Sequence, residues 1–171
     1  MKNIPDKLVN FRVYQDNAPL FNADVELPSL EYMTETLSGS GFAGEMETPT
    51  IGHFSSMSIK FNLRTLPTNA YVGLLPTGTM WEVRGSLQQL DKATAKISAY
   101  PCLLTVVVLP KTTELGKFEV GATTDTSIEG EVAYMRLVVD NEELVEIDKA
   151  NFICNIHGKD YLEEVRTHLG M

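Results

Sequence analysis

Five side chains of the metal-binding or nucleophilic kind are spread along the chain: His53, His157, His168, Cys102 and Cys154. Only Cys154 and His157 are close in sequence, as a Cys-x-x-His pair. A structural zinc site needs four ligands, so this pair defines none. Cys102 and Cys154 each have apolar neighbours and no metal-type spacing, the pattern of small, reduced core thiols. His168 falls in what would be the last turn of a terminal helix, where a cation suits the helix dipole. The acids Glu142, Glu143, Glu146 and Asp148 lack the Asp-x-Asp-x-Asp-Gly order of a calcium loop. Glu146 and Asp148, two apart on a strand, share one face and read as a solvated acidic surface. Gly39-Ser40-Gly41 is followed by no Gly-Lys-Ser/Thr, so it signals flexibility rather than a phosphate cradle. There is no Gly-x-Ser-x-Gly and no nucleophile–base pair. The residues thus point away from an enzyme and call for no cofactor and no metal.

Bulk properties narrow the alternatives. A length of 171 residues fits one domain spanning 1–171, and 43% hydrophobic with 22% charged residues is ordinary for a folded globular chain. No apolar run approaches the ~20 residues of a membrane-spanning helix. The N-terminal stretch, with Pro5 and Asp6, does not look like a signal peptide, so a cytosolic product without disulfides is expected. The net charge is −9, from 23 acids against 14 bases, without a basic cluster. Tight binding to duplex DNA requires Lys and Arg to displace counterions. This composition excludes a DNA-gripping protein but not one past which DNA slides.

The elements that carry these residues are mostly strands. Residues 56–64 alternate without a break: Met57, Ile59, Phe61 and Leu63 on one side, Ser56, Ser58, Lys60, Asn62 and Arg64 on the other. Trp81, Val83 and Leu87 mark a second strand. Ala95, Ile97 and Ala99 begin a third, broken at Pro101 and resuming over residues 102–109. Proline in such a pattern implies a bulge or a sheet edge. Ala133, Met135, Leu137 and Val139 form a fourth, and Asp140-Asn141 turns it into a partner over 144–147. Further short strands are expected at 11–14, 23–27 and 152–156. A turn at His157-Gly158 leads to a terminal helix, with Asp160 and Glu163 as a capping box, Leu162, Val165 and Leu169 as its apolar face, and Gly170 as its stop. A second short helix is expected over 67–75, opened by Pro67.

Residues 36–52 stand apart, with Gly39, Gly41, Gly44 and Gly52 and no sustained period. A loop of this length in a compact domain has a function or is disordered. Phe42, Met46 and Ile51 are apolar residues that a disordered linker does not need. The segment therefore reads as an arm that docks on a neighbour.

From Tyr134 through Glu143-Leu-Val-Glu-Ile-Asp148 to Gly158-Lys-Asp160 and Leu162, the C-terminal stretch resembles the end of the major tail tube proteins of P2-like contractile-tailed phages and R-type pyocins. The N-terminal half agrees more loosely, through residues 27–30, the glycine-rich loop and the strand bearing Lys60. Residues 80–126 are similar only generically.

This resemblance implies a mainly β fold: a barrel-like sandwich of two packed antiparallel sheets with a short flanking helix and a C-terminal helix. It also implies self-assembly into hexameric rings that stack into a tube, the 36–52 loop joining rings through Phe42, Met46 and Ile51. The other implied partners are the sheath, the tape measure protein, the baseplate hub and the tail terminator, with double-stranded DNA passing through and no membrane contact. The setting is the virion tail, assembled in the host cytoplasm. The set Ser56, Ser58, Lys60, Asn62 and Arg64 either lines the channel or forms the outer wall. Six subunits of four strands each make about 24 strands and a barrel roughly 50 Å across. Side chains leave about 40 Å, enough for a duplex. Two other readings stay open at this level: the DNA-free inner tube of a bacteriocin or injection particle, and a monomeric ligand-binding sandwich in which 36–52 is a lid.

Overall fold

A computed structural model describes residues 3–20, 23–68 and 70–171. The alternating segments become strands wherever one of their faces can be buried. In β6 (Ser58–Leu63), Ile59, Phe61 and Leu63 point into the core and Ser58, Lys60 and Asn62 point away. β7 (Thr79–Leu90), β8 (Ile97–Glu114) and β9 (Thr126–Val139) form an antiparallel meander. β1 (Ile4–Gln15) lies antiparallel on β7, and β2 (Ala18–Leu20) folds back on β1. Asp16 and Asn17 make that turn with φ of 45° and 66°, the left-handed pair a tight hairpin requires. Asp140 and Asn141 repeat the device at 53° and 65°, as the sequence leads one to expect.

β9 is the branch point of the fold. β8 occupies one of its edges throughout. On the other edge residues 126–131 pair with β6, and residues 134–139 pair with β10 (Glu142–Asp148). β3 (Ala23–Glu26) extends the β6 side, while β11 (Ile153–Ile156) and β12 (Lys159–Asp160) extend the β10 side. The two packed layers are therefore halves of one ten-stranded sheet that curls on itself. The curl brings β6 over β7, and Phe61 stacks on Trp81 with ring centroids 4.2 Å apart. Both rings are fully enclosed, along with Met57, Ile59, Val106 and Val132. Burial of side chains this size contributes about 1.5–3 kcal/mol each. Gly130 on β9 is needed there, because a Cβ would sit 2.4 Å from Val108 and 2.6 Å from the Leu109 carbonyl.

Several expectations from the sequence change in detail. The helix over 67–75 contracts to a single 3-10 turn, Ala70–Leu74, with Asn69 outside the described residues. That turn adds Val72 to the core, and Thr113 Oγ1 donates to the Gly73 carbonyl at 2.7 Å. Pro101 does not break its strand, since β8 runs through it. Its carbonyl accepts from Asp140 N–H on the side away from β7, where β8 has lost its second neighbour. The missing N–H of proline therefore costs no bond to β7, and the expectation of a sheet edge holds. Ala95 belongs to the preceding turn, with φ of 53°, and the strand starts at Ile97.

The terminal helix α1 (Glu163–Leu169) ends on Gly170 at φ 74°, with Gly170 and Met171 N–H bonding back to Thr167 and Arg166. Its capping box does not form. Leu162 is the N-cap residue and lacks a capping side chain; Asp160 instead accepts from Leu162 N–H at 2.9 Å and pairs with Arg166. The anchor residue is Leu162, which is buried in the core cluster that also holds Phe54, Ile147 and Cys154, whereas Leu169 is exposed. A helix of two turns can lay only its first turn on the sheet.

Candidate assembly surfaces

Residues 36–52 are not a loop without structure. β4 (Tyr32–Leu37) and β5 (Met46–Phe54) form a separate two-stranded sheet, with Leu37 opposite Met46 and Thr34 opposite Pro49. Only residues 38–45 make the connecting tip, where Phe42 N–H donates to the Gly39 carbonyl and Gly39 and Gly41 take φ of 132° and 104°. The hairpin escapes sequence reading because it has no buried face: every β4 residue is exposed, and most of β5. Without a core side, no alternation is selected.

The root of this arm is fixed. Tyr32 packs on Phe54 with ring centroids 4.5 Å apart, and Ser55 N–H donates to the Glu31 carbonyl at 2.8 Å. Gly52 takes φ of 66°, and a Cβ there would fall 2.5 Å from Leu162. His53 Nδ1 donates to the Ile51 carbonyl and meets the edge of Phe152. Beyond the root, Met33, Phe42, Met46 and Ile51 present about half or more of their surface to solvent. A two-stranded hairpin is marginal by itself, and this one holds its apolar side chains in water.

The polar side of β6 meets acids on both flanking strands. Ser58 Oγ donates to Glu129 at 2.7 Å, Asn62 Nδ2 donates to Glu26 at 2.8 Å, and Arg64 faces Asp24 at 3.4 Å. Lys60 stands in register between Glu26 and Glu129. Ser56 Oγ donates to Glu131, which also accepts from Met57 N–H and from Lys149 Nζ. Burial alone would raise the Glu131 pKa, but the Lys149, Ser56 and Met57 donors outweigh it and bring it to about 2. The face is a bonded acid–base mosaic rather than a bare basic or acidic surface.

The acids of β10 are likewise engaged. Glu142 lies 3.3 Å from His157 Nδ1, and Glu143 pairs with Arg136 at 2.7 Å. Glu146 accepts from Tyr134 Oη and Asn155 Nδ2, both at 2.9 Å, and Asp148 accepts from Ala150 and Asn151 N–H in the next turn. Burial, followed by the bond to Glu146, pushes the Tyr134 hydroxyl up to about 12. Glu146 and Asp148 do share a face, but they are half-buried and bonded rather than simply solvated. Cys154 is buried, whereas Cys102 is only half-buried, contrary to its reading as a core thiol. Among the described residues no group of three or more His, Cys, Asp or Glu side chains is placed to hold a metal.

The family model described as phage tail tube protein FII matches residues 5–170. The chain belongs to that family. The tail tube protein of Escherichia phage P2 is 28% identical, over 86% of this chain and 86% of that protein. Two solved structures share the fold, both from an extracellular contractile injection system, PVC, in its extended state. The sheath-tube complex covers 80% of this chain and 91% of the matched one, at 14% identity and a TM-score of 0.54. The sheath/tube terminator covers 78% and 96%, at 12% identity and a TM-score of 0.54. Tail tube proteins are structural components of the tail and not enzymes.

Proposed function

We propose that copies of this chain close into six-membered rings, that the rings stack into the inner tube of a contractile phage tail, and that the tube conducts DNA during ejection. The observation that carries this reading is the β4–β5 arm: rigid at its root, without a core of its own, and apolar at Phe42, Met46 and Ile51. Docking on the adjacent ring supplies the cover those residues lack. Ring closure in turn removes the open strand edges that an isolated sheet exposes. A charge of −9 per subunit makes the assembled wall repel phosphate, so the duplex slides rather than binds. The matched injection-system chains come from a sheath-tube complex and a sheath/tube terminator, which supports a sheath outside this tube and a terminator at its end. A tape measure protein inside the tube and a baseplate hub below it complete the set, assembled in the host cytoplasm. The phage origin of the curated relative favours a DNA-carrying tail over a DNA-free particle.

Negative-stain microscopy of the concentrated purified chain tests the reading. Tubes or hexameric rings are expected; persistent monomers that bind a small molecule would replace it with the lidded sandwich. Deletion of Gly39 to Glu47 should leave a folded monomer that makes no tubes, and tubes of normal length from that deletion would remove the arm from the assembly.

A further inference from the structure

Two apolar features with exposed side chains lie towards opposite ends of β8. At one end β1, β7 and β8 run on past the barrel. β9 stops at Val139, opposite Cys102, and beyond the Asp140 N–H bond to the Pro101 carbonyl, residues 97–100 of β8 pair only with β7. On the face that continues the core, Leu8, Leu87 and Tyr100 form one row across the three strands. In this row Leu8 is 48% exposed, and Leu87 and Tyr100 are half-buried.

At the other end, residues 115–125 form a finger between β8 and β9. Its base is closed: Lys117 N–H donates to the Thr124 carbonyl at 2.8 Å, and Thr124 N–H donates to the Arg64 carbonyl at 3.0 Å. Gly116 takes φ of 80°, with a Cβ position only 1.8 Å from the Thr124 carbonyl oxygen. At the tip, Phe118 is 90% exposed and Val120 is fully exposed. A rigid base that holds a phenyl ring and a valine in water has no use within the monomer.

The two ends also differ in charge. The finger carries Glu119 and Asp125 against Lys117, and Glu114 ends β8 at its base. The turn joining β7 and β8 carries Lys92 and Lys96 against Asp91, whose carboxylate accepts from Ala93 and Thr94 N–H of its own turn. In a chain of net charge −9, this turn has a local positive excess. From Tyr100 to the end of β8 at Glu114 the strand runs roughly 45 Å, so a copy cannot satisfy itself.

We infer that Phe118 and Val120 of one copy seat on the Leu8, Leu87 and Tyr100 row of the next, with Lys92 and Lys96 of the receiving copy facing Glu114 and Glu119. Such a contact joins unlike surfaces head to tail, which generates closed rings or open filaments rather than isolated dimers. The inference rests on the tube reading and names one of its subunit contacts.

The test uses the full chain in a Cys102→Ser background, with Leu8→Cys and Phe118→Cys made in separate preparations and then mixed before assembly. Oxidation should link the mixture into dimers, while neither preparation alone should link. A second variant, Phe118→Ser with Val120→Ser, should keep the wild-type circular dichroism spectrum and raise the concentration needed for assembly at least about tenfold. Tubes that form without the cross-link, and at an unchanged concentration in the double serine variant, overturn this contact and leave the tube reading standing. A wild-type chain that forms neither rings nor tubes overturns both.

Discussion

Lys149 Nζ reaches Glu131 Oε1 at 2.8 Å and, with the same ammonium, the Ser55 carbonyl at 3.0 Å. The pair sits where β9 passes from β6 to β10, beside the Val132 N–H that donates to the Met57 carbonyl. It ties the chain leaving the arm to the strand that joins both halves of the barrel.

This geometry makes stability pH-dependent at a named site. Glu131 is lowered from its ordinary value of 4.5 to about 2 in the folded chain. Its contribution is fully present above pH 4.5 and is lost as pH falls from there towards 2. Glu131→Gln should cost about 1–3 kcal/mol at pH 7 and should flatten the loss between pH 4.5 and 2. Urea unfolding at a series of pH values measures both effects; parallel losses in the variant and the wild type would assign the acid sensitivity elsewhere.

The Phe61–Trp81 stack closes the barrel between strands that are not neighbours in the sheet. Phe61→Ala should destabilise the chain by about 3–5 kcal/mol through the cavity it leaves. Trp81 is the only tryptophan, so its fluorescence reports the same event. A destabilisation below 1 kcal/mol, with unchanged emission, would mean that the two rings do not hold the layers together.

Gly52 fixes the root of the arm. Gly52→Ala adds a methyl group 2.5 Å from Leu162 in a backbone conformation that alanine rarely takes. The expected cost is about 1–3 kcal/mol, concentrated at the root, with faster proteolysis between residues 31 and 55 than in the barrel. Uniform protease sensitivity along the chain would place the damage elsewhere.

The arm itself can be made polar without touching the barrel. Phe42→Ser, Met46→Ser and Ile51→Ser combined should change the unfolding free energy by less than about 1 kcal/mol, because all three residues are exposed. The same triple variant should fail to form tubes under conditions where the wild type does. Sedimentation separates monomer from polymer, and normal polymerisation would remove these residues from the interface.

The barrel was legible in the sequence because burial selects a period. Met57, Ile59, Phe61 and Leu63 alternate since each must face the core, and Asp140-Asn141 occupies a left-handed turn that few other residue pairs accept. The arm was legible only as an apolar, glycine-rich interruption. Its strands have water on both faces, so their pairing rests on main-chain bonds, which any sequence can make. The carboxylates of β10 read as solvated because their partners, Arg136, Tyr134 and Asn155, come from other strands, at distances that one-dimensional spacing does not encode.

Taken alone, the sequence determined the β class, the main strands and hairpin turns, the lack of catalytic groupings and the acidic balance, all of which follow from local periodicity, turn stereochemistry and composition. Only the tertiary structure decided that β9 serves two neighbours along one edge, that residues 36–52 form a hairpin held at Gly52, and that Phe118 stands in water far from the row formed by Leu8, Leu87 and Tyr100. The reason is physical: which edge a strand offers, and which apolar residue stays uncovered, depends on how the whole sheet curls.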